Sequence, residues 1–279
     1  MTDWDDEWQN AHERSMLKVT PENEERWRVF WSLDAEYYLD EVRSEAAFYD
    51  QVIDRLYREG WVRWNDKVLD VGCGPGTLAL PLSPKVGSVT ALDEAEGMLL
   101  TLNEECKVRG IGNIITKRSS WKDAKYQEEF DLVLASLSPA VRCGEDLLAM
   151  ERASRGRCCL ITACPSDWMN LRNELWESVI GRFTPSDAYS VRYPFNLLLD
   201  RNRSPELFRV NARTVVRHPS EDVIDHFIRY FRIFTDMDDD KQGKVRRYVL
   251  SRSQDGLFVR ESDKCLYLLC WDKGPDKKG

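Results

Sequence analysis

The chain has 279 residues, 42% of them hydrophobic, with 48 acidic against 40 basic side chains and a formal net charge of −8. This length can bury one large core or two smaller ones. The acidic balance disfavours a general nucleic-acid binder, which presents a basic face, and no stretch reaches the roughly 18–20 apolar residues of a membrane helix.

Residues 1–25 are polar and charged and read as a loosely held arm. Their opening, Met-Thr-Asp-Trp-Asp-Asp-Glu-Trp, has neither the basic nor the apolar region of a signal peptide, so a cytoplasmic location is expected. From Arg26 to Glu59 the pattern is helical, with aromatic clusters at Trp27, Phe30, Trp31 and at Tyr37, Tyr38. Ala47, Phe48, Val52, Ile53, Leu56 and Tyr57 share one helix face, and Gly60 suits a C-cap.

Strand-like and helical runs then alternate. Lys67–Val71 is a strand, Thr77–Leu82 starts a helix that Pro81 disturbs, and the strand Ser88–Leu92 precedes the helix Ala95–Arg109. Two short strands follow at Ile114–Lys117 and Asp131–Ala135, then a helix at Gly144–Ala153 and a strand at Cys158–Ala163. This order predicts a parallel sheet covered by helices on both faces.

The remainder reads differently. Trp168–Ile180 is helical, Pro194–Leu199 is a short apolar piece, and Glu206–Arg217 is strand-like. Ser220–Phe231 is a helix with Ser220 as N-cap and Glu221 and Asp222 in its first turn. Asp239–Ser251 is a second helix and Lys264–Trp271 a final strand. Two late strands flanking helices predict an antiparallel hairpin, with an insertion, closing one sheet edge.

Val68-Leu69-Asp70-Val71-Gly72-Cys73-Gly74-Pro75-Gly76 is the most informative segment. A short apolar strand ends in three glycines within five residues, which lets the backbone turn tightly and approach a nucleotide-like ligand. The dinucleotide pattern G-x-G-x-x-G would need glycine where Thr77 stands. Asp70, two residues before the first glycine, is awkward beside a pyrophosphate and suits a cationic ligand. Asp93 ends the second strand, where a carboxylate can accept both ribose hydroxyls. Acid, glycine turn and acid together favour S-adenosylmethionine, which carries a sulfonium and an ammonium and no phosphate.

These residues resemble the class I S-adenosylmethionine-dependent methyltransferases, with residues 68–76 as the glycine motif and Ala91-Leu92-Asp93 as the ribose acid. Met98-Leu99 and Phe130-Asp131-Leu132-Val133-Leu134-Ala135 match further motifs. The resemblance covers about residues 61–165 and the final strand. It implies an α/β fold: a Rossmann-like seven-stranded sheet, mostly parallel with an antiparallel last strand, and helices on both faces. The expected parts are an arm and helical cap (1–60), a cofactor-binding core (61–165), and a C-terminal part (166–279) that completes the sheet and adds a substrate-side helical insertion.

By that resemblance Gly72, Gly74 and Gly76 approach the cofactor, Asp70 shapes the loop around its amino group, and Asp93 holds the ribose. Glu94 or Ala95 lies beside the adenine. The acid that the family often places after the third strand is replaced here by Ser120, with Trp121 available to pack on the ring. Ser136 and Ser138, after the fourth strand, either orient ligands or cap the turn. The amine-methylating Asn-Pro-Pro-Tyr or Asp-Pro-Pro-Tyr signature is missing from Ser136-Leu137-Ser138-Pro139-Ala140-Val141, so base methylation is not supported.

Tyr37 and Tyr38 can reach the site from the N-terminal helix or pack in a core. Residues 182–217 hold seven arginines against three acids, and arginine's planar fork suits carboxylates and phosphates. Arg192 and Arg201 are therefore candidates for an anionic substrate, against a solvated face as the alternative. The eight cysteines form no Cys-x-x-Cys pair, and His12, His218 and His226 are the only histidines. Cys73, Cys158, Cys159, Cys265 and Cys270 lie in apolar runs, where free thiols behave as small hydrophobes. Neither a disulfide scaffold nor a metal site is expected. Cys143 and Cys164 follow strands near the site, where packing outweighs metalloid chemistry.

The function expected is methyl transfer to a small molecule, an anionic one if the arginines of residues 182–217 line the site. A protein or RNA acceptor, or a non-catalytic S-adenosylmethionine-binding regulator, is the alternative. Transfer from a sulfonium needs alignment more than a nucleophilic residue, and no catalytic base is assigned.

Overall fold

The computed structural model describes residues 2–164 and 170–274. Its centre is one sheet built from β1 (Lys67–Val71), β2 (Ser88–Asp93), β3 (Ile114–Arg118), β4 (Phe130–Ser136), β5 (Ser154–Ala163), β6 (Glu206–Pro219) and β8 (Leu257–Asp272). The spatial order is β3-β2-β1-β4-β5-β8-β6, and the two-residue β7 (Ser253–Gln254) pairs with β8. β1 to β5 pair in parallel, and β8 runs antiparallel to both β5 and β6. The seven-stranded, mostly parallel arrangement expected from the sequence is present, with the short β7 added. From β1 the chain passes first to β2 on one side and later to β4 on the other. That reversal opens a crevice beyond the carboxyl end of β1, the place where open α/β sheets bind ligands.

Central strands read as continuous apolar runs because both sheet faces are covered. α4 (Ala46–Arg58), α5 (Ala79–Leu82) and α6 (Glu96–Arg109) close one face, with Val52, Ile53, Leu56 and Leu102 fully buried. α1 (Trp4–Arg14), α7 (Gly144–Ala153) and α9 (Arg192–Asp200) close the other, through Trp8, Met150, Tyr193 and Leu197. Each fully buried side chain of this size contributes about 1.5–3 kcal/mol. A third cluster joins α8 (Asn170–Val179), α10 (Ser220–Phe231) and α11 (Asp239–Leu250) to Phe30 of α2 (Glu24–Leu33). α2 and α3 (Ala35–Ser44) pack on α6, making a cap next to the crevice.

Several expectations are corrected. Residues 2–25 are not a loose arm: Asp3 caps α1 by accepting from the N–H groups of Asp5 and Asp6. Trp8 is buried, with its Nε1 donating to the Ala188 carbonyl at 3.0 Å. The helical run from Arg26 breaks twice, at Asp34 and Glu45, both buried acids. Asp34 meets His226 and Arg229, and Glu45 meets Lys264, so each break serves an ion pair. Pro194–Leu199 belongs to a full helix, α9, with Pro194 in its first turn, where the missing N–H costs nothing. α10 starts at Ser220, with Pro219 as the N-cap residue and no side-chain cap. Trp168 and Met169 of the expected helix lie outside the described residues.

Cysteine usage also differs. Cys164 and Cys265 form a disulfide, with Cα atoms 5.3 Å apart. The β5–β8 register pairs Ala163 with Leu266, so the next residues along face each other across the strands. Cys159 and Cys270 occupy another such pair as free thiols, with sulfurs 3.4 Å apart.

Candidate active site

The glycine turn leaves β1 at the crevice. Gly72 and Cys73 both donate backbone N–H to the Leu92 carbonyl, at 2.8 and 3.0 Å, tying the turn to the end of β2. Gly72 adopts φ +69°, and a Cβ there would lie 2.0 Å from Ser138 Oγ. This position therefore excludes any side chain on two counts.

Asp93 closes the arrangement. Its carboxylate accepts the Gly74 N–H and the Ala95 N–H, both at 2.9 Å. One lone pair on each oxygen stays available, enough for two hydroxyl donors. Burial raises its pKa against the effect of those two N–H bonds. Beneath the turn, Asp70 is 1% exposed and its Oδ2 has no hydrogen-bond partner. Burial, then the neighbouring Asp93 charge, pushes Asp70 up to about 7. An unpaired buried carboxylate is costly unless a cation or a proton meets it.

Other walls come from distant segments. Tyr38 of α3 lies over the turn, its Cε1 3.5 Å from where a Gly74 Cβ would be. Ser119 donates its N–H to the Asp93 carbonyl at 3.1 Å, bringing the loop after β3 beside the acid. In that loop Ser120 Oγ donates to Asp123 Oδ2 at 2.7 Å. Ser136 Oγ, at the end of β4, is buried and unpartnered. α2 reaches the start of α6 so closely that a Cβ on Gly97 would lie 2.1 Å from the Ser32 carbonyl oxygen.

Residues 68–155 match the family model described as a methyltransferase domain. Those residues form a methyltransferase domain. An uncharacterised protein of Haemophilus influenzae is 32% identical to the chain over 122 residues, covering 43% of this chain and 44% of that protein. Nocamycin O-methyltransferase of Saccharothrix syringae is 35% identical over 78 residues, covering 26% and 28%. The matched segments thus span less than half the length of these curated relatives. Among solved structures, the YcgJ protein of Bacillus subtilis superposes with a TM-score of 0.50 at 14% identity, over 80% of this chain and 98% of that one, a likeness of fold.

Within the methyltransferase domain, Asp70, Gly72, Gly74, Gly76, Asp93, Ser136 and Ser138 gather around the crevice, and Glu94 stands exposed beside Asp93. Trp121 is different: it is 7% exposed and packs with Val71 and Leu92 in the sheet-face cluster. Tyr37 turns away from the glycine turn and lies between two imidazoles, His218 at 4.5 Å and His226 at 4.4 Å between ring centroids. Arg192 and Arg201 sit at the two ends of α9, against α1. Arg192 pairs with Asp187 at 2.7 Å and contacts the Tyr193 hydroxyl, and Arg201 faces Asp5 at 3.9 Å.

Sequence reasoning missed Asp123, although the Ser-x-x-Asp spacing is itself a turn signal. It also missed Arg142, after β4, and Arg172, on α8. Neither has a local signal, because only the fold brings the charges of both to Tyr189. Among the described residues no helix is long and apolar enough to cross a membrane.

Proposed function

We infer that the protein methylates a small anionic molecule, using S-adenosylmethionine. The observation that carries this reading is the Gly74 N–H bound to the Asp93 carboxylate at 2.9 Å, above the unpaired oxygen of buried Asp70. The two acids fit the two ends of that cofactor. Asp93 keeps acceptor capacity for a ribose diol, and Asp70 supplies negative charge below the turn where an ammonium would be neutralising. A pyrophosphate at the glycine turn would lie against the ionised Asp70 and be repelled.

When bound, S-adenosylmethionine supplies a methyl group on a sulfonium, ready for in-line displacement. The protein's part is alignment, which can account for much of such a rate enhancement. Tyr38 and Ser138 narrow the space above the glycine turn, Glu94 and the Ser120–Asp123 turn flank the ribose acid, and the cap excludes water. A small acceptor is supported by the name of one relative, a nocamycin O-methyltransferase, and by the cap that α2 and α3 place next to the crevice.

Isothermal titration with S-adenosylhomocysteine tests the reading. Wild type should bind it, Asp93→Ala should lose at least 10-fold in affinity, and NAD should not bind. Binding of NAD in place of S-adenosylhomocysteine would overturn it.

A further inference from the structure

Beside the crevice lies a second group of side chains that neither the glycine turn nor Asp93 uses. Arg142 follows β4, and its guanidinium forms no ion pair among the described residues; only its backbone N–H is engaged, by Asp146. Arg172 on α8 is half-buried, with Nε and one terminal nitrogen enclosed and no carboxylate paired with it among the described residues. Between them are two phenols. Tyr230 is 6% exposed, and the Arg172 guanidinium lies against its hydroxyl. Tyr189 is 41% exposed, yet protein surrounds its hydroxyl closely enough to raise its pKa, and the charges of both Arg142 and Arg172 reach it.

His12 and Trp27 complete the walls. The His12 ring meets Tyr189 edge-on at 5.2 Å, and its Nε2 is buried and unpartnered. Trp27 meets Tyr230 at 6.2 Å, and its Nε1 is likewise buried and unpartnered. Most buried polar atoms in folded proteins have partners, and those that lack them call for an explanation. Here the orphans are the Trp27 donor and one imidazole nitrogen of His12, beside the enclosed Arg172–Tyr230 pair, gathered on aromatic walls from four separate segments.

We propose that Arg142 and Arg172, with Tyr189 and Tyr230 between them, form the acceptor subsite, and that it takes a flat organic monocarboxylate. This rests on the methyltransferase reading. The donors fit an oxyanion, which arginine forks hold in bidentate fashion, and the rings fit a planar body. Charge favours a monoanion: two guanidiniums among neutral phenols match one carboxylate better than the larger charge of a diphosphate.

The test uses the whole chain. S-adenosylhomocysteine binding is measured first by calorimetry. The loaded protein is then screened by ligand-observed NMR against benzoate, 4-hydroxybenzoate, cinnamate and their methyl esters, with inorganic pyrophosphate as a further probe. At least one acid should bind, and its ester should bind at least 10-fold more weakly. R142Q and R172Q should each weaken the acid by at least 10-fold while S-adenosylhomocysteine affinity and melting temperature stay unchanged, and R192Q should bind as wild type does. Binding of no acid, tighter binding of pyrophosphate, or unchanged affinity in both arginine variants would overturn the proposal. Loss of S-adenosylhomocysteine binding with acid binding intact would instead overturn the cofactor reading alone.

Discussion

Asp34 and His226, 192 positions apart, meet through Oδ2 and Nδ1 at 2.8 Å, and Arg229 reaches the other oxygen of the same carboxylate at 3.0 Å. Asp34 is 1% exposed and sits where α2 gives way to α3. This contact fastens the N-terminal cap to α10. Removing one member of a buried ion pair leaves an uncompensated charge, at a cost of about 3–5 kcal/mol. Asp34→Ala should therefore lower unfolding free energy by about that much in urea titration, and His226→Gln by less, because Arg229 still answers the carboxylate. Equal small effects from both would show that the network does not hold the cap.

The Cys164–Cys265 disulfide closes a segment 101 residues long. Loops near 100 residues gain about 4.7 kcal/mol in the chain-entropy account, an upper figure where strain or residual structure intervenes. Denatured, unreduced protein should expose six titratable thiols, and reduced protein all eight. Reduction should also lower the melting temperature of wild type and leave Cys265→Ser unaffected. Eight thiols in both titrations would remove the bond.

Gly97 allows α2 to rest on α6, and the atom that a Cβ would strike is backbone, the Ser32 carbonyl oxygen at 2.1 Å. Backbone cannot swing aside as a side chain does, so Gly97→Ala must lift the cap, at about 1–3 kcal/mol for such overpacking. Hydrogen exchange should speed up in α2 and α3 and stay constant in β1 and β4. Equal acceleration in the central strands would mean that cap and sheet unfold as one unit.

How far the sequence carried these features depends on how local each signal is. β1 and its glycine turn are legible because an apolar run, three glycines and Asp93 fall within 30 positions, and α7 because its apolar period is unbroken. The breaks at Asp34 and Glu45 were not legible, since no Gly or Pro marks them and their partners His226, Arg229 and Lys264 lie about 200 residues away. The disulfide had a readable hint. Cys159 and Cys164 are spaced as Cys265 and Cys270 are, which an antiparallel β5–β8 pairing turns into two facing pairs. Arg192 and Arg201 were drawn from a stretch rich in arginine, but their carboxylate neighbours Asp187 and Asp5 come from folding. Arg142 and Arg172 stand in no motif at all.

Asp70 makes the strongest pH prediction. Its pKa of about 7 in the folded protein lies above the ordinary carboxylate value near 4. Between those two pH values the folded chain keeps a proton that the unfolded chain has lost. Stability therefore falls as pH rises from about 4 to 7, and the loss, on the order of 4 kcal/mol, is complete above that window. Asp93 and Cys73 face the same carboxyl: Asp93 adds to the shift, and burial holds the Cys73 thiol neutral. Asp70→Asn should flatten this slope and make the ligand-free protein more stable at pH 8. The ligand should show the opposite trend. An ammonium group prefers the ionised carboxylate, so S-adenosylhomocysteine binding should release protons and tighten from pH 6 to pH 8, with Asp70→Asn weak at every pH. Calorimetry in two buffers of different ionisation enthalpy reads both quantities, and a wild-type affinity that is flat or falling with pH would rule out an ionised Asp70 beneath the ligand's amino group.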